Sequence, residues 1–393
     1  MPSLEDEQDI IATLEHSDRS FEINLNISNS LLEKSNVWTE SFPELELEHL
    51  SLRSPSEYFQ PESTVLPSGF LGGPALASRS LRYILLQRIT VPTLPQLLLS
   101  SRGLTHLFLG KGVLEGGGFH SPAVLSAALS TAVRLESLHL HLPSDMFHEG
   151  QESSDSESPP PNLIDLPALT YFESEGRGSN EYLEDLVSRI RAPLLERICV
   201  RIPYEHLRSN LRLSQFISRT KRMSALPIDT SISVEDKSFI ISHQFETRGH
   251  ICFELICDPG SLQESQVDDI GGFCRQMTPL VSDIGRVSID ISIGLETRAP
   301  PDEGKLPQWL RLFRIFDGAQ ELELRSDFSL HEGLKTAEIG EGVLPALRIL
   351  RLDIGNRVPQ VIKSFIAERE LTGRPITVIH RRRYVESGFL DCA

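Results

Sequence analysis

Five cysteines in 393 residues, an odd number with no C-x-x-C pair among them, leave two common kinds of stabilisation without material. Cys199, Cys252, Cys257, Cys274 and Cys392 support neither a disulfide framework nor the ligand spacing of a structural zinc site. A reducing intracellular compartment, cytoplasmic or nuclear, is the expectation. Long apolar runs are missing too. The most leucine-rich stretch, Leu81 to Leu109, is interrupted by Arg82, Arg88, Pro92, Pro95 and Arg102, which excludes a bilayer span. The opening MPSLEDEQDI has neither the basic head nor the apolar run of a secretory signal. Basic residues are outnumbered, 38 Lys and Arg against 55 Asp and Glu, giving a formal charge of −17. That acidity repels a phosphate backbone or an anionic membrane surface, so neither nucleic acid nor membrane is expected as a partner.

Signatures of chemistry are equally scarce. No G-x-S-x-G elbow surrounds a serine, and no H-E-x-x-H helix occurs. Leu109-Gly110-Lys111-Gly112 departs from a phosphate loop twice: Thr105 stands where the first glycine is required, and Gly112 follows the lysine in place of Ser or Thr. The same glycines run on to Glu115 instead of the third glycine of a dinucleotide fingerprint. Carboxylates are abundant, but their spread follows exposed faces and marks no acid–base pair. No catalytic residue, cofactor or metal is assigned, and the chain reads as a non-enzyme.

What the sequence does have is a triplet, L-x-x-L-x-L with aliphatic substitutions. It recurs as Leu47/Leu50/Leu52, Leu81/Ile84/Leu86, Leu104/Leu107/Leu109, Leu135/Leu138/Leu140, Leu195/Ile198/Val200, Ile284/Val287/Ile289, Ala319/Leu322/Leu324 and Leu347/Leu350/Leu352. The steps between final positions are 34, 23, 31, 60, 89, 35 and 28 residues. The two long steps fit two and three units of about 30 residues. Candidate fillers are Leu169 to Phe172, a strand near Ile232, and Cys252 to Leu255, with an earlier unit around Phe21 to Leu25. Within a triplet the last two anchors share one face of a short strand, and the first packs inward just before it. Three buried aliphatic side chains contribute roughly 1.5–3 kcal/mol each. Ordering a whole unit costs far more, on the order of 1.5 kcal/mol per residue. One unit cannot stand alone, so the units must stack.

Helical segments lie between the triplets. Ser121-Pro122 opens one with a cap and a proline at the first helical position, and Asn180 to Ile190 carries a stripe of Leu183, Leu186, Val187 and Ile190. Leu306 to Phe316 and Val358 to Leu371 repeat the theme. The expected fold class is therefore α/β: a leucine-rich-repeat solenoid, an irregular arc with parallel strands on the concave face and helices on the convex face. It is read as one array over residues 1–393. The acidic, serine- and proline-rich segment 144–162 is expected as a disordered inserted loop, and 381–393 as a flexible tail. Ser154 with Glu157 fits an acidophilic kinase pattern, but a plain solvated loop is the preferred reading. The basic run His380 to Val385 reads as a solvated terminal edge ahead of a nuclear import signal.

One stretch tests the balance between pattern and chemistry. In LESLHLHLPS, His139 and His141 stand two apart on a strand and point the same way, as metal ligands do in some hydrolases. A metal site wants a third ligand and an orienting carboxylate, and only Glu136 is at hand. The leucines carry the pattern, and the histidines hold x positions on the exposed strand face. A protein-binding face is accordingly expected from His49, Ser51, Tyr83, His106, Phe108, Ser137, His139, His141, Arg197, Arg201, Glu323, Arg325, Arg348 and Arg351. Exposed aromatics and arginines are its expected anchors.

Several phrases resemble the leucine-rich region of the F-box-like proteins of mushroom-forming fungi. They are LELEHLSLRSPSEYFQPESTVLPSGFLGG (Leu45 to Gly73), EYLEDLVSRIRAPLLERI (Glu181 to Ile198), LSQFISRTKRM (Leu213 to Met223), VLPALRILRLD (Val343 to Asp353) and FIAERELTGRPITV (Phe365 to Val378). In such proteins an N-terminal F-box docks on a Skp1-like adapter, and the repeats present a substrate to an SCF-type ubiquitin ligase. The chain departs at its start: MPSLEDEQDIIATLEHSDRSFEINL already stands at the threshold of a repeat, with no F-box read ahead of it. The expected function is a non-enzymatic interaction module whose strand face binds a protein partner. The alternative implied by the resemblance is a ubiquitin-ligase substrate receptor, and a metal-dependent hydrolase stands as a remote third.

Overall fold

The computed structural model describes residues 22–26, 47–54, 64–66, 80–116, 121–142, 163–176, 180–203, 211–223, 227–234, 238–256, 269–270, 272–273, 286–291, 318–324, 344–352 and 360–380. They belong to two compact units, residues 1–224 and 225–393. The readings of 144–162, 306–316 and 381–393 fall outside the described residues. No described helix is long and apolar enough to cross a membrane.

The described residues of the first unit form eleven strands: β1 (Glu22–Asn26), β2 (His49–Arg53), β3 (Thr64–Val65), β4 (Tyr83–Gln87), β5 (Ile89–Thr90), β6 (His106–Leu109), β7 (Ser137–Leu142), β8 (Ile164–Asp165), β9 (Tyr171–Gly176), β10 (Ile190–Arg191) and β11 (Arg197–Pro203). Their main order is β1-β2-β4-β6-β7-β9-β11, and every pairing along it is parallel. Two short parallel pairs, β3 with β5 and β8 with β10, stand beside it.

Register explains why these sequences make these strands. Ile23, Leu50, Ile84, Leu107, Leu138, Phe172 and Ile198 fall in one column across the sheet. All are buried, as are the first anchors Leu47, Leu81, Leu104, Leu135, Leu169 and Leu195. A second column runs Leu25, Leu52, Leu86, Leu109, Leu140, Ser174 and Val200. Each turn thus covers the aliphatic face of the turn before it, which a lone turn would leave to water.

The backbone repeats as regularly. The Arg82 carbonyl accepts the amides of Thr105 and His106, Thr105 those of Glu136 and Ser137, Glu136 those of Thr170 and Tyr171, and Thr170 those of Glu196 and Arg197. The chain enters β6, β7, β9 and β11 by the same doubly bonded step. Thr105 and Thr170 add their hydroxyls, donating to the Arg82 and Glu136 carbonyls at 2.9 and 3.1 Å. Gly110 spends its amide on the Leu86 carbonyl at 2.7 Å, so it belongs to this ladder and not to a phosphate loop. Gly176 closes β9 at φ 135°, where a Cβ would lie 2.4 Å from the Leu142 carbonyl oxygen. Only glycine fits there.

Helices follow the strands: Leu94–Ser100, Pro122–Leu129, Asn180–Ser188 and Leu211–Ser218. The Ser121 hydroxyl caps the second, accepting from the Val124 amide as its sequence position implies. The buried Glu184 carboxylate reaches from the third helix to the start of the fourth, accepting from the amides of Arg212 at 2.6 Å and Leu213 at 3.2 Å. Burial raises its pKa, and the two amides work against that rise. One turn thereby satisfies the orphan donors of the next.

The second unit departs from the expected uniform parallel array. Its strands are β12 (Pro227–Val234), β13 (Ser238–Phe245), β14 (His250–Ile256), β15 (Arg286–Ile291), β16 (Glu321–Leu324), β17 (Ile349–Leu352) and β18 (Thr377–His380). β15 to β18 continue in parallel, and β12 pairs β15 in parallel as well. β12, β13 and β14, however, form an antiparallel meander. The 89-residue step is therefore not three units of 30. The connections, residues 235–237 and 246–249, are too short for the dozen or more residues that a parallel crossover needs.

A polar pair enters the core of this unit. Ile251, His243, Thr230, Val287, Leu322, Leu350 and Val378 share one column. His243 and Thr230 are both buried there, and the imidazole Nδ1 and the hydroxyl meet at 2.9 Å. Arg369, on the helix Gln360–Leu371, is also buried and donates to the Leu347 carbonyl at 2.8 Å, tying that helix to the entry of β17.

Two stability outcomes follow from the columns. Ser174 holds an aliphatic place with its buried hydroxyl unbonded, so Ser174→Ala should raise the unfolding free energy by about 1 kcal/mol. Leu138→Ala should lower it by about 2–5 kcal/mol, both read by urea titration. Acid should act through His243, whose pKa burial, helped by nearby His250, pushes down from 6.5 to about 4. The folded state keeps this imidazole neutral where the unfolded chain protonates it. Its contribution is therefore intact above pH 6.5 and is lost as pH falls toward 4, by on the order of 3 kcal/mol. In His243→Gln the loss of stability over that window should shrink measurably.

Candidate functional site

Opposite the aliphatic columns, the x positions of the first unit line up in rows of their own. One row is Glu22, His49, Tyr83, His106, Ser137, Tyr171 and Arg197; the next is Asn24, Ser51, Leu85, Phe108, His139, Glu173 and Cys199. In-register pairing sets aromatic and imidazole rings one strand spacing apart, close enough to stack. His49 and Tyr83 do so with centroids 4.5 Å apart and planes at 11°. Tyr83 leans toward His106 at 6.0 Å, Phe108 toward His139 at 5.4 Å, and His139 toward Tyr171 at 4.7 Å.

The rings give way to charge pairs at β9. Glu173 Oε2 accepts from His139 Nδ1 and from the Tyr171 hydroxyl, 2.8 Å from each. The His139 bond, with that of Tyr171, holds the Glu173 carboxyl below the usual carboxylate range against the opposing effect of burial. Burial first, then the Glu173 bond and charge, raise the Tyr171 pKa. Two strands are bridged again where Glu175 binds Arg201 Nη1 at 2.6 Å and His141 Nδ1 at 3.3 Å. These bonds fix the rings of His139 and Tyr171 before any ligand arrives.

The structure thus brings His49, Ser51, Tyr83, His106, Phe108, Ser137, His139, His141, Arg197 and Arg201 onto one face of the first unit. Glu323, Arg348 and Arg351 belong to the second, and Arg325 lies outside the described residues. Three of these x positions are less open than their place in the pattern implies. Ser51 and Ser137 are buried, because a short side chain in a row of long ones loses its access to water. Glu323 is fully buried: Arg286 bonds it, while Glu321 of the same strand bonds both Arg286 and Arg351. Arg351 is held within that network, and Arg348 is exposed at the strand entry.

Tyr171, Glu173 and Glu175 were absent from the sequence reading of the face. Their triplet is degraded, with Ser174 in place of the third aliphatic anchor, so β9 registered only as a filler. The signal was nonetheless present in Tyr-Phe-Glu-Ser-Glu, a period-two alternation that puts both carboxylates on the side of the tyrosine.

Chemically, the face offers planar ring surfaces and preformed hydrogen-bond groups. Among the described residues no three His, Cys, Asp or Glu side chains converge as metal ligands. His139 and His141 each turn Nδ1 to a glutamate instead. Comparison of the sequence with models of known protein families gives no match, and comparison with curated proteins gives none either. The function is argued from this geometry.

Glu173→Gln tests the bonding. The lowered pKa means that the carboxylate contributes most above the ordinary carboxylate range, and that this contribution is lost as pH falls through its folded value. The stability difference between the unaltered chain and Glu173→Gln should be largest near neutrality and should shrink as pH falls through and below the ordinary carboxylate range. A difference constant across that range would mean that the charge on Glu173 does not matter.

Proposed function

We propose that the chain is a leucine-rich-repeat solenoid acting as a non-enzymatic interaction module, which binds a protein partner through the outer strand face of its first unit. The supporting observation is the set of rings along β2, β4, β6, β7 and β9: exposed or half-exposed, in contact with one another, and pinned at one end by Glu173. Rigid aromatic surface of this kind binds at small entropic cost, because little side-chain freedom remains to be lost. The phrases shared with fungal F-box-like proteins favour one role for such a module, the substrate receptor of a ubiquitin ligase. Co-purification with a Skp1-like adapter supports that role, and its absence leaves the binding module alone.

Tyr83 and Phe108 are the energetic centre of the proposal. Both are half-exposed on the outer face, so Tyr83→Ala with Phe108→Ala should leave far-UV circular dichroism and the unfolding midpoint nearly unchanged. Partner recovery on the immobilised chain, measured by quantitative mass spectrometry, should fall by about tenfold or more. Equal recovery by the folded double variant would rule this face out.

A further inference from the structure

Among the described residues of the first unit's outer face, Glu173 and Glu175 are occupied and Glu22 stands exposed at the β1 edge, while the cations Arg53 and Arg197 are idle. Glu173 and Glu175 already accept two donors each from their own face. Each carboxylate is thus partly compensated by donors of its own face before an incoming group arrives. Arg53 at the end of β2 and Arg197 at the start of β11 are exposed on the same face. Neither side chain makes a hydrogen bond or an ion pair among the described residues. Between them β4 and β6 show Tyr83, His106 and Phe108, and neither of these two strands carries a carboxylate.

We propose that this face receives an extended acidic segment of a partner protein, with anionic groups at Arg53 and Arg197 and an apolar or aromatic middle lying on Tyr83 and Phe108. The inference rests on the function proposed above and narrows the partner to one class. Geometry sets the length. Five interstrand steps of about 4.8 Å separate β2 from β11, and Arg53 lies four residues, about 13 Å, beyond the row of Arg197. The backbone positions of the two arginines are thus about 27 Å apart, the span of about eight extended residues. The charge of −17 on the whole chain does not decide the matter. At physiological salt, exposed charges are screened beyond about 8 Å, so the arginines at the contact outweigh distant acids.

Panning a phage library of random twelve-residue peptides on the immobilised full chain tests this directly. The expected pool carries Asp or Glu at two points six to eight residues apart with apolar residues between them. The double variant Arg53→Glu/Arg197→Glu, verified as folded by circular dichroism, should recover that pool about tenfold less well and should enrich Lys- or Arg-bearing peptides instead. A pool rich in Lys or Arg on the unaltered chain overturns the inference, and so does a failure to enrich any sequence. An acidic pool lost with Tyr83→Ala/Phe108→Ala but retained after arginine reversal sinks the charge assignment and leaves the face reading standing. Indifference to all four substitutions sinks both.

Discussion

Parallel strands joined in register set each residue beside its counterpart one turn away, so the two sides of every strand are selected by their neighbours. Inward, Leu107 must meet Ile84 on one side and Leu138 on the other. A polar or undersized residue at that place damages three turns at once. Outward, a long planar side chain such as Tyr83 finds His49 and His106 at stacking distance, because the same register that aligns the leucines aligns the rings. Core and face are consequences of one constraint, and neither can slip without the other. A shift of a single residue would turn every leucine to water and every ring to the interior.

Because the constraint acts through spacing, the parallel ladder was legible in the sequence. The triplets located β2, β4, β6, β7, β11, β15, β16 and β17, and the 60-residue step was rightly divided by a strand at Tyr171 to Gly176. Where spacing loses its meaning the reading fails. Between Val200 and Ile289 the apolar residues alternate as before, yet the direction of each strand is set by connections of three or four residues. Period-two alternation is the same for parallel and antiparallel partners, and only loop length separates them. The turn at Glu246 to Gly249, with Arg248 in a left-handed conformation, is the informative feature there, more than the strands beside it.

The face was legible in outline and not in energetics. Alternation identifies which residues point outward, but exposure depends on what stands beside them. Ser51 and Glu323 occupy equivalent x positions, and both are buried for opposite reasons: one is too short to reach solvent, the other is covered and bonded by Arg286. Sequence order hides such partners. Glu173 draws on His139, thirty-four residues earlier, and nothing local to either residue announces the bond.

Polar residues placed on the inward side show how strictly the constraint is applied. Thr230 and His243 interrupt an aliphatic column, and they do so next to each other, so that each answers the other's hydrogen-bonding need within the core. Ser174 interrupts its column alone, between Leu140 and Val200, and its hydroxyl has no partner. A lone polar substitution inside such a column has a net cost, since the chain gains nothing for the water it gives up. Yet β9, which carries this defect, also carries Tyr171, Glu173 and Glu175 on its other side, the residues that bond the outer rows together. On β9 the inner side gives up packing at Ser174 while the outer side supplies the bonds between rows, so the two sides of one strand answer to different demands.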